Sequence, residues 1–217
     1  MKKKIDWLNH SLEFFVVLIG ILIAFQLNKC SDNQARESLI ENHLSQIRYE
    51  CQENAEKLDL SIEQITVQIQ NCDSLLSEIS NGQRPKKIRD LATKLLDLRN
   101  MDISTNAYNV LVQSGDIRFL NNYNKKRKVI SLYEDFKSVA QINTSNQNLY
   151  DNHFYPYIKT NFDLVNWNKV NADSENDKKL YYSREFANTV STYRFLLVSK
   201  KRIYLNQKTV IDKYLSE

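Results

Sequence analysis

From Phe14 to Phe25 the chain reads FFVVLIGILIAF, without one polar side chain, and Leu12 and Leu27 carry the apolar run past Glu13 and Gln26. A helix from Trp7 to Asn28 has 22 residues and extends about 33 Å at the helical rise. That matches the ~30 Å hydrocarbon thickness of a bilayer. No other window of the chain is comparably apolar. Trp7 suits an interfacial anchor, and Lys29 marks the opposite edge.

A cleaved signal peptide requires small residues after its apolar run, and Phe25-Gln26-Leu27-Asn28-Lys29 offers no such site. Asn28 and Lys29 likewise lack the small side chains that lipid attachment at Cys30 would need. The segment therefore reads as an uncleaved, single-pass anchor. Lys2, Lys3 and Lys4 precede it, with Asp6 the only acid before Glu13, whereas Lys29 and Arg36 are the only basic residues just beyond it. The positive-inside bias predicts an N-terminus in the cytoplasm of a bacterial inner membrane and the rest of the chain in the periplasm. The expected organisation is a cytoplasmic N-terminus (1–11), a transmembrane helix (12–28), a long amphipathic helix (29–80) and the remaining helices of an extracytoplasmic bundle (85–217).

Within the span, Glu13, Val17, Gly20, Ala24 and Asn28 fall along one helical face. Gly20 and Ala24 form a small-x3-small pair that lets two backbones approach closely, and a carboxylate such as Glu13 usually faces protein or water. Two readings stand side by side. One is a helix–helix contact with a second copy or a membrane partner. The other is an incidental glycine, with Glu13 reaching the inner headgroups.

Glycine occurs three times and proline twice in 217 residues. That scarcity excludes turn-rich β-sandwiches, dinucleotide crevices and phosphate loops, whose tight turns need φ > 0. The fold class is all-α: a transmembrane helix leading into a long helix that packs in an antiparallel bundle. From Asp32 to Ile79 neither Gly nor Pro occurs, and Ile40, Leu44, Ile47, Cys51, Ala55, Leu58, Ile62, Ile65, Ile69, Cys72, Leu76 and Ile79 recur in steps of three and four. Asn54, Ser61 and Gln68 interrupt the heptad, which favours a bundle helix over a dimeric coiled coil. Gly82 and Pro85 mark the clearest break. Short helices are expected around Ile88–Leu96 and after a cap at Asp102–Thr105, with longer ones over 122–148 and 183–215. A surface loop is expected over 168–177.

Cys30, Cys51 and Cys72 are each 21 residues apart. On one continuous helix that spacing is about 31 Å, beyond disulfide reach. Cys30 is the expected site of an interchain disulfide in an oxidising compartment, and the other two read as buried seam residues. Lys125–Lys128 and Lys200–Arg202 read as solvated helix faces, with anionic lipid headgroups or an acidic partner as the alternative contacts. Tyr150, Phe154, Tyr155, Tyr157, Phe162 and Trp167 read as bundle core, with a ligand pocket as the alternative. His10, His43 and His153 are scattered and show no metal-ligand spacing, so neither catalytic residues, metal nor cofactor is expected. A net charge of +4 gives no argument for nucleic acid.

Two segments resemble a family of uncharacterised single-pass membrane proteins widespread in Bacteroidetes, classified as a domain of unknown function. They are Glu13–Asn28, with its acidic start, glycine-bearing aliphatic run and closing Gln-x-Asn, and Ser104–Asn122, with Thr105, Tyr108, Leu111, Ser114 and Gly115 in the family's pattern. The likeness spans about residues 10–140; Lys29-Cys30 stands where the family commonly has an aromatic, and the C-terminal third matches poorly. It implies location and architecture and assigns no activity. Gly115 fits a helix C-cap, and Thr105, Tyr108 and Leu111 sit where they would dock a short helix on the long one. The expectation is a non-enzymatic accessory or scaffold protein with a lipid bilayer and a protein partner or second copy as its contacts. The alternative is a ligand-sensing module signalling through a membrane partner.

Overall fold

A computed structural model describes residues 7–81, 84–97, 100–166 and 174–216, with backbone alone for 7–10. The side chain of Trp7, the lysines at 2–4, Gly82 and Trp167 lie outside the described residues. Among those described there is no strand: the chain is all-α. Helix α1 runs Trp7–Asn81, followed by α2 (Pro85–Lys94), α3 (Asn106–Gln113), a 3₁₀ turn (Asp116–Phe119), α4 (Tyr123–Leu149), a π-helical turn (Tyr150–Phe154), α5 (Tyr155–Asn161), α6 (Glu175–Tyr181) and α7 (Arg184–Ser216).

The apolar run and the long seam thus belong to one helix of 75 residues, about 112 Å long. Nothing between Asp32 and Ile79 removes a backbone donor or relaxes φ, so no break forms. From Ser11 through Leu39 every side chain is exposed, including Phe14, Ile19, Leu22 and Phe25. Burial begins at Ile40 and follows the seam through Ile47, Cys51, Leu58, Ile65, Cys72 and Leu75.

Helices α1, α4 and α7 form the body. Partners along α1 and α7 fall in opposite sequence order: Arg48 donates to the Leu215 carbonyl at 2.7 Å, Lys208 pairs with Asp59 at 2.8 Å, and Arg194 pairs with Asp73. Val190, Tyr193, Leu197, Tyr204 and Ile211 supply the inner face of α7; Val129, Leu132, Phe136 and Val139 supply that of α4. The far end is closed by stacked rings, Phe154 on Tyr193 at 4.8 Å and Tyr157 on Phe186 at 5.1 Å. Phe154, Tyr157 and Phe162 are therefore core, whereas Tyr155 stays 40 % exposed.

Two expectations need correction. The end of the expected 168–177 loop is helical, because Ser174 and Asp177 form a reciprocal capping box that starts α6. Lys200 is not on a solvated face. It is 1 % exposed and turned into the body, where its Nζ donates to Asn100 Oδ1 at 2.6 Å.

Candidate functional site

The densest polar chemistry lies where the connection between α2 and α3 descends along α1. An extended segment crossing a helical core must satisfy its own N–H and C=O groups. Side chains from three helices do this. Gln68 of α1 donates to the Asp97 carbonyl. Tyr150 donates its hydroxyl to the Leu96 carbonyl at 2.7 Å. Asn143 of α4 donates to the Met101 carbonyl at 2.8 Å and accepts from the Tyr204 hydroxyl at 2.6 Å. Asn100 donates to Gln147 at 2.9 Å. Asn54 grips Ser104 with both ends of its amide, accepting from Ser104 N and donating to its carbonyl at 2.9 Å each.

Glu50 completes the arrangement. The residue is 5 % exposed. It accepts from Ser104 Oγ at 2.7 Å, Ala107 N at 3.0 Å and Tyr133 OH at 2.6 Å. Ala107 is in the first turn of α3, so an acid on α1 caps the neighbouring helix and meets the positive end of its dipole. Thr105 stands at the N-cap position without making a capping bond; its Oγ1 instead accepts from Asn109 at 3.2 Å. The Tyr133 hydroxyl is held far above its ordinary pKa, first by burial and then by the bond to Glu50.

The other sequence-chosen residues fall around this site or well away from it. Leu111 is 1 % exposed and faces the core. Tyr108 stacks on Tyr133 of α4 at 4.3 Å, so α3 is held between α1 and α4. Ser114 closes α3, and Gly115 turns the chain at φ 77°, a left-handed conformation that a side chain would strain. The turn brings Asp116 Oδ2 to 3.1 Å from His43 Nε2. Hydrogen bonds from Ser114 and His43 hold the Asp116 carboxyl below its usual pKa. The carboxylate is the middle member of this trio, so the imidazole is not placed to take the serine proton. His153 is exposed in the π-helical turn, and Glu134 pairs with Lys137 on the surface. Among the described residues no group of three His, Cys, Asp or Glu is placed to hold a metal ion.

Glu13, Gly20, Ala24 and Asn28 share the projecting, exposed part of α1, and a Cβ added at Gly20 meets nothing within 4 Å. Cys30 is exposed and unpaired; Cys51 and Cys72 are buried, which pushes each thiol up to about 12. The sequence pattern showed Asn54 only as a heptad interruption, put Lys200 on a solvated face, and gave no role to Glu50 and Asn143. Their shared signal is a polar residue on the apolar face of an amphipathic helix. An open groove of about 430 Å³ runs between α4 and residues 101–109, lined in part by Ile103, Tyr108, Tyr133 and Phe136. No family model, no curated protein and no solved structure matches the chain.

Removing the Glu50 carboxylate strands three donors at once. Glu50→Ala is expected to cost about 3 kcal/mol and Tyr133→Phe about 1–2 kcal/mol. The double variant should lose less than the sum, because both act through one bond. Urea unfolding followed by circular dichroism measures this, and strict additivity would contradict it.

Lys200 generates a pH signature. Burial lowers its pKa from 10.5 to about 8. Between those values the unfolded chain binds more protons than the folded one, so this contribution to stability rises with pH. The native chain should gain midpoint, relative to Lys200→Met, on going from about pH 7.5 to about pH 9.5. Parallel midpoints for the two proteins across that interval would refute the assignment.

Proposed function

We propose that the chain is a single-pass inner-membrane protein with a cytoplasmic N-terminus and an antiparallel periplasmic bundle. In this reading it acts as a non-enzymatic accessory or scaffold subunit that holds a protein partner, or a second copy, at a set height above the bilayer. One observation carries this reading: the apolar, wholly exposed stretch and the core helix of the bundle are the same uninterrupted α1. Each Leu, Ile, Val or Phe left in water forgoes roughly 1.5–3 kcal/mol of burial. A bilayer relieves that cost along the stretch from Leu12 to Leu27, and the rigid continuation transmits the anchor's position directly to the bundle.

The resemblance to the Bacteroidetes family is part of the same proposal. A second reading, a sensing module working through a membrane partner, draws on the open groove beside Tyr108 and Tyr133 rather than on the aromatic stretch after Tyr150, whose buried rings stack on one another.

Copurification from native membranes tests the scaffold role; a chain recovered alone in every mild detergent would count against it. Gly20→Ile tests the packing face of the anchor. Since a Cβ at Gly20 meets nothing in the single chain, a change in crosslinking reports association rather than misfolding. Cys30-mediated dimer on non-reducing gels should fall several-fold in Gly20→Ile and vanish in Cys30→Ser. Unchanged dimer in Gly20→Ile would overturn helix–helix contact at this face, and dimer persisting in Cys30→Ser would overturn Cys30 as the bridging residue.

A further inference from the structure

Asp97 and residues 100–119 meet α1 at successively lower levels. Asp97 meets Gln68, Ser104 meets Asn54 and Glu50, Asp116 meets His43, and the Phe119 ring lies 4.9 Å from the Arg36 guanidinium. The chain then reverses into α4, which climbs back so that Tyr133 meets Glu50. The reversal at 117–126 is therefore the part of the bundle nearest the projecting segment of α1.

This reversal has a distinct charge. Between Ile117 and Tyr133 there are five cations (Arg118, Lys125, Lys126, Arg127 and Lys128) and no acid. Asp116, just before it, is engaged by His43. On α1 at the same level, Lys29 and Arg36 are outnumbered by Asp32, Glu37 and Glu41, so the positive charge belongs to the reversal and not to the stalk. Arg118 lies with its guanidinium 4.6 Å from the Phe119 ring that Arg36 also covers, which fixes the reversal on the stalk. Tyr123, 71 % exposed, opens α4 beside Lys125 and Lys126. An exposed tyrosine among lysines and arginines is the composition of a membrane–water interface.

The height fits. Arg36 is eight residues beyond Asn28, about 12 Å along the helix. The headgroup layer occupies about 5–7 Å of that. That leaves roughly 6 Å below the Arg36–Phe119 contact, less than the Debye length of about 8 Å at physiological salt. The Tyr133–Glu50 bond puts Lys125 and Lys126 about 9–10 Å higher along α1, a rise that the length of a lysine side chain and an ordinary tilt of about 20° offset in part.

We propose that the reversal formed by Arg118, Tyr123, Lys125 and Lys126 is a basic foot that rests on anionic phosphodiester headgroups of the membrane holding the anchor. The foot sets the lean of the bundle, and with it the direction in which the far end is presented. This rests on the single-pass reading of α1.

The test uses the full chain in lipid nanodiscs, with a nitroxide at Asn124→Cys in a Cys30→Ser background; the buried Cys51 and Cys72 stay unlabelled. A trace of lipid carrying a nickel chelate on its headgroup relaxes the nitroxide when the two meet. Going from neutral phosphatidylcholine to about 30 mol% phosphatidylglycerol should raise that relaxation about threefold. About 0.5 M salt should abolish the rise, as should the triple change Arg118→Glu, Lys125→Glu, Lys126→Glu. Equal relaxation in neutral and anionic discs overturns the foot and leaves that face to protein or solvent. Flotation with neutral vesicles reports the anchor separately: a chain that floats without a lipid-dependent signal disproves the foot alone, and a chain that does not float disproves the anchor.

Discussion

A helix can cross from a bilayer into water and on into a protein core only if each backbone hydrogen bond is carried by its own ladder. α1 meets that demand over 75 residues. Its only glycine is Gly20, in the apolar stretch, and it has no proline. On the single-pass proposal, two solvents would act on this one element. The part up to Leu39 presents apolar side chains on all sides at first and then a polar collar, whereas from Ile40 onward a narrow seam faces the other helices. Every other element takes its position from that seam, so the height of each site above the apolar stretch is a residue count along α1.

What the seam does not supply is register. Leucines and isoleucines pack in many ways at similar cost, whereas an amide or carboxylate in the core is satisfied in very few. Asn54, Asn143, Glu50 and Lys200 perform that selection. Each meets the α2–α3 connection or the start of α3, and their partners come from α3, α4 and α7. Buried polar groups of this kind add little net stability and penalise any slipped arrangement, which leaves them unpaired.

Much of this was legible in the residues. Steps of three and four located α4 and α7 to within one residue of Tyr123–Leu149 and Arg184–Ser216, and Gly115 was singled out for the left-handed turn that it makes. The rest was hidden for physical reasons. Local spacing does not say which acid on one helix will cap another, so nothing in the sequence singled out Glu50. Lys200 sits in a run with Lys201 and Arg202 that masks its inward position between Leu197 and Tyr204, and its partner Asn100 is one hundred residues away. The 168–177 stretch looked like a loop because its polarity outweighed the Ser174–Asp177 box at its end.

Continuity of α1 is the claim to measure. Spin labels at Leu27→Cys and Leu60→Cys, both exposed positions, in a Cys30→Ser background and in nanodiscs, report the distance across the junction by pulsed electron resonance. An unbroken helix predicts a single narrow distribution centred near about 50 Å. A broad distribution, or one centred below about 40 Å, would mean a hinge between the apolar stretch and the bundle and would contradict the account.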